Sequence, residues 1–417
     1  MTTAHPSHGL LAGRLLVCLG PGGVGKTTVS AALALGAAMA GRRVDVMTVD
    51  PAPRLLDALG LDPVDAAEPR EVPLQDLQDA QDPYHLADAA DLDGLFNLAD
   101  ASNVDTSNVV ELAAARARSG GRGGSGARRR PAARAGRLRA LRLDPKRTFD
   151  AIVARHAPSP AAADAIMQNR IYRNLSQALA GVGDYMAMER LLELSEEPAT
   201  DLVVLDTPPA REALDFLDAP RRLLELLNSR AVTLLGGGMR RGFSVVDLAA
   251  RAVLSAFDRL TGLHLLGDVQ AFVRSFDGMY AGFAERAARV QQLLVAGDTA
   301  VIVVTTAEPE RTAQAHEFLA ALRTAGIEPR AVIVNRTLPA TVSAEHIARA
   351  PLAPALRRKL ARAAEEFAAL HQRETAAIAS LRAGGPAELK LLAMPDLGRE
   401  PAELADLARL GQSLAIL

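Results

Sequence analysis

Gly20-Pro21-Gly22-Gly23-Val24-Gly25-Lys26-Thr27-Thr28 stands between an apolar run, Leu15–Leu19, and an Ala/Leu-rich stretch of helical spacing, Val29–Ala40. The nonapeptide satisfies G-x-x-x-x-G-K-[ST] in the strand, loop, helix context that the pattern needs. Glycines permit backbone turns that leave successive N–H groups facing inward, and the start of the following helix adds positive dipole character. Such a loop cradles phosphate. Gly20, Gly22, Gly23, Val24, Gly25, Lys26, Thr27 and Thr28 are therefore the candidate nucleotide-binding residues, with Lys26 reaching the β- and γ-phosphates and the Thr27 hydroxyl ligating Mg²⁺. Lys26 is one of only four lysines, which makes a stray match a weak alternative.

Outward from the loop, further short apolar runs stand at Arg43–Val49, Leu202–Leu205, Ala300–Val304, Ala331–Val334 and Leu389–Ala393. Runs of this length without alternation suit strands buried on both faces. Helical stretches such as Arg311–Ala325 lie between them. The rhythm predicts an α/β fold: the doubly wound, mostly parallel sheet of a P-loop NTPase with an inserted helical subdomain. Ligands of such sheets sit beyond the carboxyl ends of the strands. Two of those ends carry aspartate, in Asp50-Pro51-Ala52 and in Asp206-Thr207-Pro208-Pro209. A pair of strand-terminal aspartates opposite a phosphate loop suits phosphoryl transfer to water, with Asp206 on the metal side and Asp50, beside Lys26, at the attacking water. Asn335 ends another run with an amide suited to reading adenine, and Leu389–Ala393 leads into Met394-Pro395, where Pro395 would line the base.

The 417 residues are 49% apolar and 23% charged, enough for one large domain or two smaller ones and unlike a disordered or collagen-like chain. A net charge of −2 gives no global reason to expect nucleic acid or anionic membrane as the main partner. The one cysteine, Cys18, cannot form an intrachain disulfide, a Cys-rich zinc site or a trithiolate site. No basic-then-apolar leader occupies Met1 to Gly13, and no run of 18 apolar residues occurs, so the expectation is a cytoplasmic protein that does not itself span a membrane.

Charge is unevenly spread. From Asp65 to Glu111 there are twelve acidic residues and only Arg70 as a base, whereas Arg116 to Arg142 holds ten arginines and no acid, around the Gly-rich Ser119–Gly126. Such segregation predicts a disordered or anomalous insertion at 65–142, dividing the P-loop domain into residues 14–62 and 143–417. Within the second part, Asp150–Leu194 and Arg221–Leu294 read as helical, giving a helical subdomain at about 150–195 and 221–294. The latter stretch is rich in Leu, Met and Phe, including Met239, Phe243, Phe257, Phe272, Met279 and Phe283. That spacing is core packing first, and Met-rich helices also suit adaptable apolar grooves.

Four segments together resemble the ArsA family of deviant P-loop ATPases, here of bacterial type: GPGGVGKTT at Gly20–Thr28, TVDPA at Thr48–Ala52, LDTPPA at Leu205–Ala210 and VIVNR at Val332–Arg336. The family includes arsenite-pump ATPases and the eukaryotic ATPases that deliver tail-anchored membrane proteins. The resemblance covers residues 14–62 and about 143–417 in order. It implies ATP and Mg²⁺ as cofactors, Asp50 in switch I activating water, Asp206 in switch II and the Mg²⁺ shell, and Asn335 at the adenine. It also implies a dimer that closes over ATP, and coupling of the cycle to a hydrophobic or membrane-protein client, with the helices of 221–294 as effector surface and peripheral membrane association compatible.

Departures from the family pattern shape these expectations. Pro21 replaces the signature lysine that reaches the partner's nucleotide, which raises pairing with a lysine-bearing paralogue beside a homodimer. The arsenite-binding thiolates and the zinc-linking cysteines have no counterpart, and Ala210-Arg211-Glu212 stands where relatives carry Thr-Gly-His. The function expected is a Mg²⁺-dependent, ATP-hydrolysing molecular switch. The alternatives are a nucleotide-binding scaffold with little intrinsic hydrolysis acting within a heterodimer, and a partition or positioning ATPase, for which only the Arg116–Arg142 block offers a DNA or lipid patch.

Overall fold

The computed structural model describes residues 10–64, 67–74, 77, 136–170, 172–173, 180–208, 210–227, 279–338, 344–349, 351–386, 389–399, 401 and 403–415. These residues form an eight-stranded sheet of β1 (Leu15–Leu19), β2 (Arg43–Thr48), β3 (Arg70–Glu71), β4 (Arg137–Arg142), β5 (Leu202–Asp206), β6 (Thr299–Thr306), β7 (Pro329–Thr337) and β8 (Lys390–Pro395). The strand order is β3-β4-β2-β5-β1-β6-β7-β8, parallel throughout except where β3 meets β4. The chain winds away from β1 in one direction through β5, β2 and β4 and in the other through β6, β7 and β8. The loop after β1 thus emerges where the winding reverses, the crevice in which doubly wound sheets bind ligands.

The described helices are α1 (Lys26–Met39), α2 (Arg54–Ala58), α3 (Pro145–His156), α4 (Pro160–Gln168), α5 (Ala180–Glu196), α6 (Ala210–Leu217), α7 (Ala219–Leu227), α8 (Tyr280–Val295), α9 (Pro309–Thr324), α10 (Ala344–Arg349), α11 (Pro354–Gly384) and α12 (Leu404–Ala415). Strand residues alternate between two covered faces. Leu16, Cys18, Val46, Val204 and Ile302 pack with Leu33 of α1 and Leu407 of α12. Leu15, Val17, Val203 and Val303 face Leu191 of α5, Phe216 of α6, Val290 of α8 and Phe318 of α9. Burial on both faces explains why these strands are continuous apolar runs.

A third apolar core is purely helical. It joins Phe149 and Ile152 of α3, Ile166 of α4, Tyr185 and Met186 of α5 and Phe283 of α8. Met279 and Phe283, from the Leu/Met/Phe-rich stretch, belong to it, whereas Met239, Phe243, Phe257 and Phe272 lie outside the described residues. Helix α5 spans two cores, because its Ala187, Met188 and Leu191 pack on the sheet. At the joint Arg286 Nη2 of α8 lies 2.7 Å from Glu189 Oε2, a buried ion pair that also accepts the Tyr185 hydroxyl. Burial raises the Glu189 carboxyl and the Tyr185 hydroxyl above their ordinary ranges.

The segment expected to be an insertion at 65–142 is narrower than its charge pattern implies. Its basic end, Arg137–Arg142, is β4, paired in parallel with β2. Leu138 and Ala140 are fully buried, and the arginine between them is neutralised: Arg139 Nε and Nη2 lie 2.6 and 2.7 Å from the buried Asp45 carboxylate, which also accepts the Thr200 hydroxyl at 2.6 Å. At its acidic end, β3 pairs with β4, the Val72 amide donates to the Leu138 carbonyl at 2.9 Å, and Val72 and Leu77 join the core. Both ends of the segment therefore belong to the sheet and its core; residues 78–135 lie outside the described residues.

The stretch Asp150–Leu194 is likewise helical in pieces, because Pro158 and Pro160 interrupt it. Asp144 caps α3 through the Arg147 amide at 2.9 Å, and Ser159 caps α4 through that of Ala162 at 3.2 Å, each with proline at the first helical position. Among the described residues no helix is long and apolar enough to cross a membrane.

Candidate functional site

Two glycines let the loop pass where no other residue could. At Gly20, with φ 151°, a Cβ would lie 2.1 Å from the Val304 carbonyl oxygen of neighbouring β6. At Gly25, the left-handed residue that caps α1 with φ 85°, a Cβ would lie 2.2 Å from Asn335 Nδ2. Between them Val24 is anchored in the core, while Gly22 and Gly25 are half-buried and Gly23 is exposed. Thr27 and Thr28 follow Lys26 in the first turn of α1, where backbone amides have no partner within the helix.

Lys26 Nζ donates to the carbonyls of Gly20 at 3.1 Å and Pro21 at 3.0 Å, so the lysine is folded over its own loop. Burial lowers its pKa, while the Asp206 and Asp50 carboxylates pull it back upward. Asp206 comes from β5, the strand beside β1, and stands in register with Cys18 on one side and Thr48 of β2 on the other. Its Oδ2 accepts hydrogen bonds from Thr27 Oγ1 at 2.8 Å and Thr48 Oγ1 at 3.0 Å, and Ser30 Oγ lies 3.5 Å from Oδ1. Burial pushes the Asp206 carboxyl up to about 6, against the two threonine hydroxyls and Lys26, which favour the charged form.

Asp50 follows β2. Its Oδ1 accepts the Ala52 amide at 2.9 Å, its own amide donates to Thr48 Oγ1 at 3.2 Å, and its Oδ2 lies 3.9 Å from the exposed Arg54. The Asp50 side chain is 32% exposed and Asp206 only 1%, so of the two carboxylates Asp50 alone can meet a water from solvent.

Asn335 ends β7 buried against the loop. Its Nδ2 donates to the Val24 carbonyl at 2.8 Å and its Oδ1 accepts the Arg336 amide at 2.8 Å. Arg336, with φ 57°, sits at an irregularity of β7 against β8. The amide thus ties β7 to the loop, using one of its two N–H groups and one of its lone pairs. Pro395, at the end of β8 opposite Thr337, is exposed.

Thr48, Ser30 and Thr207 went unnoticed in the sequence. The Thr207 hydroxyl donates to the Cys18 carbonyl at 2.7 Å and holds the end of β5 against β1. Arg142, at the end of β4, reaches the Pro51 carbonyl at 3.3 Å and braces the segment after Asp50. Thr48 carried the one available signal: it stands two residues before Asp50 at a strand end. Cys18 is fully buried in β1 and its thiol is pushed up to about 12 by desolvation, so it is a core residue.

A hydroxyl beside a buried carboxylate is a hard-oxygen donor set. Among the described residues no group of three or more His, Cys, Asp or Glu could hold a metal. The one hydroxyl and one carboxylate of Thr27 and Asp206, 2.8 Å apart, are oxygen donors of the kind Mg²⁺ takes, since it keeps waters and binds through one or two carboxylates and substrate phosphates.

A family profile described as anion-transporting ATPase, ArsA_ATPase, matches residues 13–78 and 137–371. The chain belongs to the ArsA family. No curated protein matches it. This ArsA-family chain is an ATPase, and the matched residues include the loop, Asp50, Asp206 and Asn335 but neither β8 nor α12. The match breaks at 78 and resumes at 137, the first residue of β4, in agreement with the sheet.

Proposed function

We propose that this ArsA-family ATPase is a Mg²⁺-dependent molecular switch whose hydrolytic site is built from Lys26, Thr27, Asp50 and Asp206. The amides of the loop and of the first turn of α1 bind the phosphates, and Lys26 exchanges its two loop carbonyls for β- and γ-phosphate oxygens. Thr27 and Asp206 would hold Mg²⁺, which when bound neutralises charge on the β- and γ-phosphates. Asp50 orients the attacking water and takes up its proton. Asn335 and Pro395 flank the adenine. The observation that carries this reading is the division between the two carboxylates: Asp206 enclosed 2.8 Å from the Thr27 hydroxyl, and Asp50 open to solvent one strand away.

The path to a client starts at Asp206. Helix α6 packs Ala213 and Phe216 on the sheet, and α7 lays Leu223 and Leu224 against the helical core. A change at Asp206 is thereby linked to the helices that would carry a hydrophobic or membrane-associated client. ArsA-family members commonly dimerise. Because Pro21 offers no amine to a partner's nucleotide, either a homodimer or a heterodimer with a paralogous ATPase fits. Pro21 also favours the second reading, a scaffold that binds ATP and turns it over poorly by itself.

Steady-state Mg²⁺-dependent ATP hydrolysis across protein concentration, with mass photometry with and without ATP, tests the proposal. Lys26→Ala is expected to lose ATP binding, and Asp50→Asn to keep binding while losing about a hundredfold or more in turnover. Unchanged ATP binding by Lys26→Ala would overturn the site. Tight binding without turnover, alone and with a partner, would favour the scaffold.

A further inference from the structure

We propose that Arg311, on α9, is a second cationic contact for the phosphates of the bound nucleotide, reaching the loop from the side of Gly23. The inference rests on the ATP-site reading above. Strand β6 pairs directly with β1, with Leu19 opposite Val303, and Gly20 crosses the Val304 carbonyl. The segment that leaves β6 therefore borders the loop. Its backbone is fastened there: the Thr305 hydroxyl donates to the Arg311 carbonyl at 3.1 Å and the Thr312 hydroxyl to that of Glu308 at 2.9 Å. From this anchored turn Arg311 Nη2 comes within 3.8 Å of where a Cβ on Gly23 would stand. Gly23, exposed on the loop, places no side chain between the guanidinium and the loop.

The charge of Arg311 is uncommitted. Its Nη1 donates to the neutral Gln314 Oε1 at 3.1 Å, and among the described residues no carboxylate pairs with it. Arg43, Arg139 and Arg286, by contrast, each hold a carboxylate at 2.5 to 2.7 Å. The loop itself carries one cationic side chain, Lys26, because position 21 is proline. A planar fork of N–H donors, oriented by an amide and set against a phosphate loop, is suited to an anion with several acceptor oxygens.

Titration of ATP, ADP and AMP into wild type, Arg311→Ala, Arg311→Lys and Lys26→Ala, with thermal melting of each nucleotide-free protein, tests this. Arg311→Ala is expected to weaken ATP by about tenfold or more, ADP by less and AMP by under about twofold, with melting unchanged and Arg311→Lys intermediate. ATP affinity and turnover within about twofold of wild type in Arg311→Ala, while Lys26→Ala loses binding, would overturn the inference and leave the site reading intact. Equal weakening of all three nucleotides with a lowered melting temperature would also overturn it, since that is loop distortion. Normal ATP binding by both alanine variants would remove the site reading itself.

Discussion

A carboxylate as enclosed as Asp206 keeps its proton to a higher pH than an exposed one. Its value in the folded protein is about 6 against an ordinary 3.8, so below about 3.8 both folded and unfolded chains are protonated and the burial is harmless. Above about 6 the folded protein must keep a charge that the unfolded chain would give to water. Asp206→Asn is therefore expected to stabilise the nucleotide-free protein by up to about 3 kcal/mol at pH 8, fading toward zero near pH 4, while Mg²⁺-dependent turnover is lost. Urea midpoints at the two pH values read the effect, and an equal gain at both would reject desolvation as its cause. Cys18 offers a second check at this scale. Its buried thiol is expected to react with a thiol reagent about a thousandfold or more slower in the native protein than in denaturant, so that labelling reports the opening of β1. The loop, Asp50 and Asp206 stood out in sequence because phosphate chemistry would need uncommon residue types at strand ends, and the structure brings Asp206 against Thr27 of the loop. Thr48 and Ser30 were not, since a threonine closing a strand is ordinary. The register that sets Thr48 opposite Asp206 gives it one task, and its hydroxyl also accepts the Asp50 amide.

Among the elements, the six apolar strands announced themselves, whereas β4 was hidden by its own arginines. The pattern Arg137-Leu138-Arg139-Ala140-Leu141-Arg142 reads as part of a basic block until Asp45, distant in sequence, is placed against Arg139. Arg139→Met is expected to destabilise the protein by about 3–5 kcal/mol, because it leaves the Asp45 carboxylate buried without its cation. Asp45→Val added to Arg139→Met is expected to recover much of that loss, and chemical denaturation of the single and double variants measures it. Double-variant stability no higher than that of Arg139→Met would show that the pair contributes more than mutual neutralisation. The 31-residue α11 escaped the sequence reading for a different reason. Its Leu356, Leu360, Phe367 and Leu370 remain exposed, so the helix adds few of its apolar side chains to a core.

For the molecule as a whole, the sheet core and the helical core share α5, with α6 packed on the first and α7 against the second. Replacing ADP by ATP in Asp50→Asn, which would hold ATP uncleaved, is expected to alter hydrogen exchange in α6, α7 and the joint of α5 with α8, and to leave β7 unchanged. Identical exchange in both nucleotide states would separate the helical core from the ATPase cycle. The expectation of two layers around a parallel sheet came from rhythm alone. The sharing of α5 between cores could not, because its Tyr185, Met186 and Leu191 look alike in sequence and differ only in which neighbours the fold brings to them. The antiparallel contact of β3 with β4 has a practical meaning. β3 and β4 are joined by hydrogen bonds of their own, the Val72 amide bonding to the Leu138 carbonyl, so a break in the polypeptide between residues 78 and 137 is expected to leave the two strands paired. Fragments 1–78 and 137–417 would then each carry half of the proposed site, the loop and Asp50 on one and Asp206 and Asn335 on the other. Coexpressed, they would make a complementation pair whose ATP turnover reports their reunion.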